Sequence, residues 1–449
     1  MLNLIGSKSA LVALCMASSL LVGCQSNINS VLKFTLGEQQ YNELQSHEIK
    51  TVSVQRRYIL EFAENKPLVQ ATAMLKTSKA KEGVKQLTEM ANQGNSYAMY
   101  FLGDYYTKKG QRKLGKEWTQ KAVVARNYLA LLENLEAARK TADQQEIAKY
   151  TLELAIIGDL SCQVLTGYNY IYGNGLPTMH EEGLKWLHKV ADINTNLYEC
   201  VPEEVDQAAE MIASASGILA EIYHGTVLLG RYQDEGKYKK YLANAAAYGL
   251  VDKQLELAMI YAQSNSTSKL DRANKVFQLA LDPKNKSHKV YGLAAYAYAQ
   301  FIDAHPEIAV NQDSSKYLNI AKKKGVLNDY GKLGNYYYNM LDYSNAKLYY
   351  EKALNGNQDD KANGLFGLGM LYCEGKGVKQ DYSQALSYYE QAKAQKHTTA
   401  AVRLGQMYAQ GLGVAQDKAK AITYFNQACT MGDIDGCDAS KELRGIGIR

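Results

Sequence analysis

Along much of the chain, apolar residues recur at steps of three and four, and each such run is followed by a short polar break and then a second run of the same kind. In the clearest case Leu368, Gly369 and Tyr372 place an apolar stripe on one face of a helix. Gly375 and Gly377 end that helix, because glycine accepts the left-handed backbone that a helix C-terminus often needs. Asp381 then stands where the free N–H groups of a second helix want an acceptor, with Gln384 three residues on as the other half of a capping box. Ala385, Tyr389 and Ala392 follow at steps of four and three. Small alanines let two antiparallel helices approach while the tyrosine fills the gap, so the pattern predicts a helical hairpin.

The same pattern returns 36 residues later, with Leu404, Gly405, Tyr408, Gly411, Asp417, Ala421 and Ala428 in register. A unit repeated at a fixed period in this range is built to stack on its neighbours. Upstream, Gly167 to Ala191 aligns without gaps: Gly173 and Gly175 stand for the loop glycines, Gly183 for the first alanine, Trp186 and Leu187 for the aromatic step. Leu333, Gly334 and Tyr337 with Ala346, Tyr350 and Ala353 form a shorter copy that lacks the Gly-x-Gly loop. Weaker copies fall at Leu102, Gly103, Tyr106 with Ala122, and at Leu257, Ala258, Tyr261 with Ala273, Phe277, Ala280. The reading is all-α, with roughly eight to ten hairpins open at both ends.

Composition agrees with continuous helix: five prolines and thirty-five tyrosines in 449 residues, 46% of them hydrophobic. The net charge of +5 is mild, and the lysines at 108–116 and 322–324 are interspersed with neutral residues, as on solvated helix faces. Nucleic acid is therefore not an expected partner. At the N-terminus, Lys8 and the apolar run from Ala10 to Val22 have the length of a secretory signal, too short for a comfortable membrane span. The run ends Leu21-Val22-Gly23-Cys24, which resembles a bacterial lipobox. That resemblance implies cleavage before Cys24 and lipid attachment to it, and Gln25 implies the outer membrane, facing the periplasm.

The longer units look like Sel1-like repeats and the shorter one like a tetratricopeptide repeat. Both families are right-handed superhelical solenoids of antiparallel helix pairs without catalytic machinery of their own. The implied organisation is a lipoprotein signal peptide at 1–23, an N-terminal tether at 24–66 with helix around Arg56 to Glu64, a repeat solenoid at 67–430 and a C-terminal capping segment at 431–449. In tetratricopeptide-like hairpins the first helix lines the concave surface. Carried onto this chain, that selects Asp104, Tyr168, Tyr172, Asn335, Tyr338, Met370 and Gln406 as a binding face, polar and aromatic with almost no charge.

Cys429 and Cys437 flank the turn at Gly432, which can bring their Cα atoms within the disulfide range of under about 7 Å. Their spacing also resembles the cross-helix disulfides of cysteine-rich Sel1 proteins; the alternative is two small buried thiols. Cys162 and Cys200 are a second candidate pair, and Cys373 is left to burial. His180 and His188 are eight apart and do not reproduce an i, i+4 zinc pair. No phosphate loop, nucleophile elbow or C-x-x-C pair occurs, so no enzyme, cofactor or metal is expected. The expected role is a scaffold or adaptor that binds envelope protein partners, is held to the membrane by its lipid, and by layout resembles lipoproteins that support export of an alginate-like exopolysaccharide. The alternative is a cell-envelope or host-interaction binding protein for peptidoglycan or a foreign surface.

Overall fold

The computed structural model describes residues 54–193 and 202–445. Among these, every regular element is helical, with short 3-10 turns at Leu228–Gly230, Pro283–Asn285 and Val326–Asn328. Where the sequence suggests one array, the contacts divide the chain into two compact units, with the division between residues 215 and 216. Unit 1 holds α1 (Val54–Glu64), then the antiparallel pairs α2 (Lys66–Met74) with α3 (Ala80–Asn92), α4 (Ser96–Lys108) with α5 (Arg112–Val124), α6 (Tyr128–Thr141) with α7 (Gln144–Ile157), and α8 (Leu160–Tyr172) with α9 (His180–Ala191). The division falls inside α10 (Pro202–His224).

Unit 2 continues with α11 (Glu235–Ala247), then pairs α12 (Val251–Ala262) with α13 (Thr267–Ala280), α14 (Tyr291–Ala304) with α15 (Ser314–Lys323), α16 (Tyr330–Asn339) with α17 (Tyr343–Ala353), α18 (Gln358–Glu374) with α19 (Tyr382–Ala394), and α20 (Thr398–Gln410) with α21 (Lys418–Thr430), and ends in α22 (Ile434–Leu443). The end of α10 and α11 form a further hairpin that the sequence pattern conceals: Tyr223 stacks on Tyr241, and Asp234 N–H returns to Tyr223 O at 2.9 Å. The same closing bond joins Asp381 to Tyr372 and Asp417 to Tyr408. Side-chain caps follow the sequence reading, with Asp381 accepting the N–H groups of Ser383 and Gln384 and Asp417 that of Lys420.

Four of the hairpins are held by one close approach. The glycine after the leucine of the first helix is a socket: a Cβ on Gly369 would lie 2.6 Å from the Tyr389 ring, and one on Gly405 2.6 Å from Phe425. Both rings are almost fully buried. Gly334 faces Tyr350 in the same way, and Gly167 takes Leu187 at 2.8 Å. The second glycine of each Gly-x-Gly loop sets a different distance, between hairpins: with φ near +68°, Gly377 abuts Tyr343 at the start of α17 and Gly413 abuts Tyr382 at the start of α19.

Unit 2 also closes on itself, which the expectation of an array open at both ends did not include. Asp435 Oδ1 on α22 accepts the N–H of Leu228 at 2.7 Å across 207 residues, and Arg231 pairs with Glu442 at 3.1 Å. Leu228 is held at φ +54°, a left-handed backbone uncommon for a branched side chain. Beside this contact, α22 packs on α21 through Gly436 and is joined to it by a disulfide between Cys429 and Cys437, whose Cα atoms are 4.5 Å apart.

Two titratable groups in unit 2 sit far from their ordinary values, in opposite directions. Burial, with the neighbouring Asp433 and Asp438 charges, raises the Asp435 carboxyl to about 6 against the pull of the Leu228 N–H and Arg403. Burial lowers His397 to about 4. The sites before α4, α6, α8 and α18 carry Asn95, Asn127, Asp159 and Asn357, whose side chains cap those helices. His397 occupies the same site before α20, makes no side-chain cap, and stacks on Phe366 at 4.2 Å.

Filling a socket should be costly. Gly405→Ala is expected to lower stability by roughly 1–3 kcal/mol, the usual cost of overpacking, measured by urea unfolding followed by circular dichroism. Combined with Phe425→Ala, the two losses should sum to clearly more than the loss of the double variant, because the alanine methyl enters the space the ring vacates.

The pH dependence follows from the signs of the two shifts. Asp435 has a raised folded pKa, so its contribution is complete in acid and is lost as pH rises through about 6. His397 has a lowered folded pKa, so its contribution is present above about 6.5 and is lost as pH falls toward 4. Asp435→Asn should raise stability at pH 7 and remove the loss near pH 6, while His397→Asn should flatten the acid limb between pH 6.5 and 4. Thermal melts of the three proteins across pH 4–8 check both.

Candidate binding faces

In unit 1 the face chosen from sequence is partly covered and partly open. Asp104 on α4 is ion-paired with Lys108 at 2.7 Å. Spacings of four and three put it on the same helix face as Tyr97 and Phe101. Those two residues are covered by α1: Tyr58 lies 4.6 Å from Tyr97 and Phe62 5.4 Å from Phe101, ring to ring, and the Tyr97 hydroxyl donates to Glu61. Tyr168 and Tyr172, one turn apart on α8, lie with ring centroids 4.2 Å apart and planes tilted by 32°; Tyr168 is 37% exposed and Tyr172 half-buried. Burial raises Glu133 on α6, whose carboxylate accepts the Tyr100 hydroxyl at 2.6 Å.

The unit 2 members are engaged within the fold. Asn335 accepts the Tyr350 hydroxyl at 2.8 Å. Tyr338 donates to Glu374 at 2.5 Å and accepts from Lys376 at 3.2 Å, while the Lys376 ammonium lies over the rings of both Tyr338 and Tyr343. Burial, then the hydrogen bond to Glu374, pushes the Tyr338 hydroxyl up to about 12. Met370 packs against the core around Tyr389 and Leu404, and Gln406 accepts from Arg403 at 3.2 Å. A lysine over a tyrosine ring recurs at Lys420 on Tyr408 and Lys393 on Tyr424, at 4.1 and 4.7 Å.

The sequence reading therefore located the first-helix face but not which parts of it are free. It missed Tyr97 and Phe101, five and one residues before Leu102, and Tyr128, the first residue of α6, all partly buried against the core. It also missed Lys376, because a lysine between two loop glycines carries no mark of the tyrosines it will cover. Cys24 and Cys200 lie outside the described residues. Cys162 is buried on α8 and Cys373 half-buried on α18, and burial raises both thiols. His180 is buried and His188 faces Asp192 at 3.5 Å.

Among the described residues no three His, Cys, Asp or Glu side chains are placed to hold a metal ion, and no helix is long and apolar enough to cross a membrane. The Sel1 repeat family matches residues 96–123, 160–194, 362–397 and 398–433, the segments of α4 with α5, α8 with α9, α18 with α19, and α20 with α21. A Sel1 repeat protein from Oxalobacter formigenes is similar at 22% identity over 90% of this chain and 99% of its own, with a TM-score of 0.36. A protective antigen present in uropathogenic Escherichia coli strains and displaying an SLR fold is similar at 19% identity over 88% of this chain and 91% of its own, with a TM-score of 0.34. No curated protein matches. The chain therefore contains four Sel1 repeats, a repeat family that generally serves as a non-catalytic scaffold for protein interaction.

Proposed function

We propose that this protein is a non-enzymatic, lipid-anchored periplasmic scaffold of the outer membrane, which binds envelope protein partners through the first-helix face of its repeats and supports export of an alginate-like exopolysaccharide. The exposed Tyr168, with the half-buried Tyr172 beside it, carries the binding part of this reading. Tyrosine offers large contact area with little rotamer entropy to lose. The anchor rests on the Leu21-Val22-Gly23-Cys24 motif. An exposed tyrosine ring is also a surface for a sugar ring, and a glycan such as peptidoglycan is the second reading.

The anchor is tested by Cys24→Ala with the signal retained. A diacylated cysteine holds a protein to a bilayer where a single acyl chain does not, so the variant should move from the membrane to the soluble periplasmic fraction. Unchanged partition would assign the attachment to another part of the chain.

Binding is tested by Tyr168→Ser with Tyr172→Ser. The double variant should keep its helical circular dichroism and recover envelope partners at a small fraction of the wild-type yield after crosslinking and pull-down. Tyr338→Ser, by contrast, should act first on stability, because its hydroxyl and ring are engaged by Glu374 and Lys376. Undiminished recovery by the folded double variant would move the binding site off α8.

A further inference from the structure

The first-helix face of unit 1 already holds a helix. α1 lies outside every matched repeat, yet it makes the contacts a ligand would make. Tyr58 meets Tyr97 of α4 and Tyr128 of α6, with ring centroids 4.6 and 5.8 Å apart. Phe62, one turn later, meets Tyr97 and Phe101 at 6.5 and 5.4 Å. Glu61 accepts the Tyr97 hydroxyl, and Arg57 donates to the Ile157 carbonyl at the end of α7, at 2.8 Å across 100 residues. A helix that merely capped the array would cover the open edge of α2 and α3. α1 packs at Phe62 on the core of α2, α3 and α4, and beyond that reaches across to α6 and the end of α7.

Its hold is also limited. An isolated helix of 11 residues is not stable in water, so α1 depends on this docking. Its anchors Tyr58 and Phe62 are only half-buried, and Arg57 and Glu61 are exposed. We propose that α1 is a displaceable plug: the groove formed by α4, α6 and the end of α7 is a site for a partner's amphipathic helix, and α1 occupies it until such a helix takes its place. The groove specifies its occupant. It takes two aromatic side chains one turn apart, a carboxylate three residues after the first of them for the Tyr97 hydroxyl, and a guanidinium one residue before it for the Ile157 carbonyl. This rests on the reading of the chain as a partner-binding array, but the test below uses only the chain and a peptide of its own, so it can fail while that reading stands.

The test is a labelled synthetic peptide of residues 52–66 added to the full mature chain, wild type and Tyr58→Ala with Phe62→Ala. The emptied groove of the double variant should bind the peptide at least tenfold more tightly than wild type does, and a peptide carrying the same two alanines should not bind. Equal binding to both chains, or binding to neither, overturns the proposal. Hydrogen exchange on the wild-type chain keeps the test independent of how the variant folds. Amides of α1 should exchange at least tenfold faster than the slowest amides of α4 and α6, as a helix that leaves its site alone must. Exchange of α1 at the same rate as those helices would make it an integral part of unit 1 and end the idea.

Discussion

The distance between the two helices of a hairpin is the constraint on which this structure depends. A glycine on the first helix removes the one atom that would hold the pair apart, and a large side chain from the second helix fills the space so opened. Gly369 with Tyr389, Gly405 with Phe425, Gly334 with Tyr350 and Gly167 with Leu187 are the same joint in three chemistries. In α4 and α5 the approach is closer still, because Gly103 and Gly115 face one another and each backbone carbonyl would meet a Cβ on the other. A filled socket gains dispersion contacts on all sides of the ring, and an overfilled one has nowhere to relax in an interior this dense.

That joint explains why so many tyrosines report so little about function. A tyrosine in the socket buries its ring and sends its hydroxyl to a neighbour, as Tyr350 does to Asn335. Other tyrosines lie under lysines or against acids of the next hairpin, so their aromatic faces are already occupied. What is left for a partner is small: the exposed Tyr168 on α8, and the surface of α4 and α6 that α1 now covers. A count of aromatic residues would have placed the binding capacity almost anywhere along the chain.

The return of α22 to the turn at Leu228 changes what the C-terminal segment is for. It closes unit 2 as well as ending it, and it does so with a buried carboxylate near two others, an arrangement that is not at its best at neutral pH. The disulfide fixes α22 to α21, so the contact that strains the electrostatics is made by a helix that cannot drift away from its neighbour. Closing 207 residues by a hydrogen bond and an ion pair is a long-range contact whose entropy cost is met by the stacking between, hairpin by hairpin.

Local chemistry alone determined the hairpins. Leucine, glycine and tyrosine at fixed steps, a left-handed glycine and an aspartate cap act within a few residues of each other, so they are written in the order in which they work. The all-α fold, the repeat boundaries at Gly375 and Asp381, and the closeness of Cys429 to Cys437 are of this kind. The hairpin of α10 and α11 escaped because its loop spacing differs, although its closing bond is the same. Which first-helix positions are open, where α22 docks, and that α1 lies across three other helices were decided by tertiary structure. Those outcomes depend on the angle between successive hairpins summed over many repeats, a quantity that no single repeat encodes and that small side-chain differences at every joint accumulate.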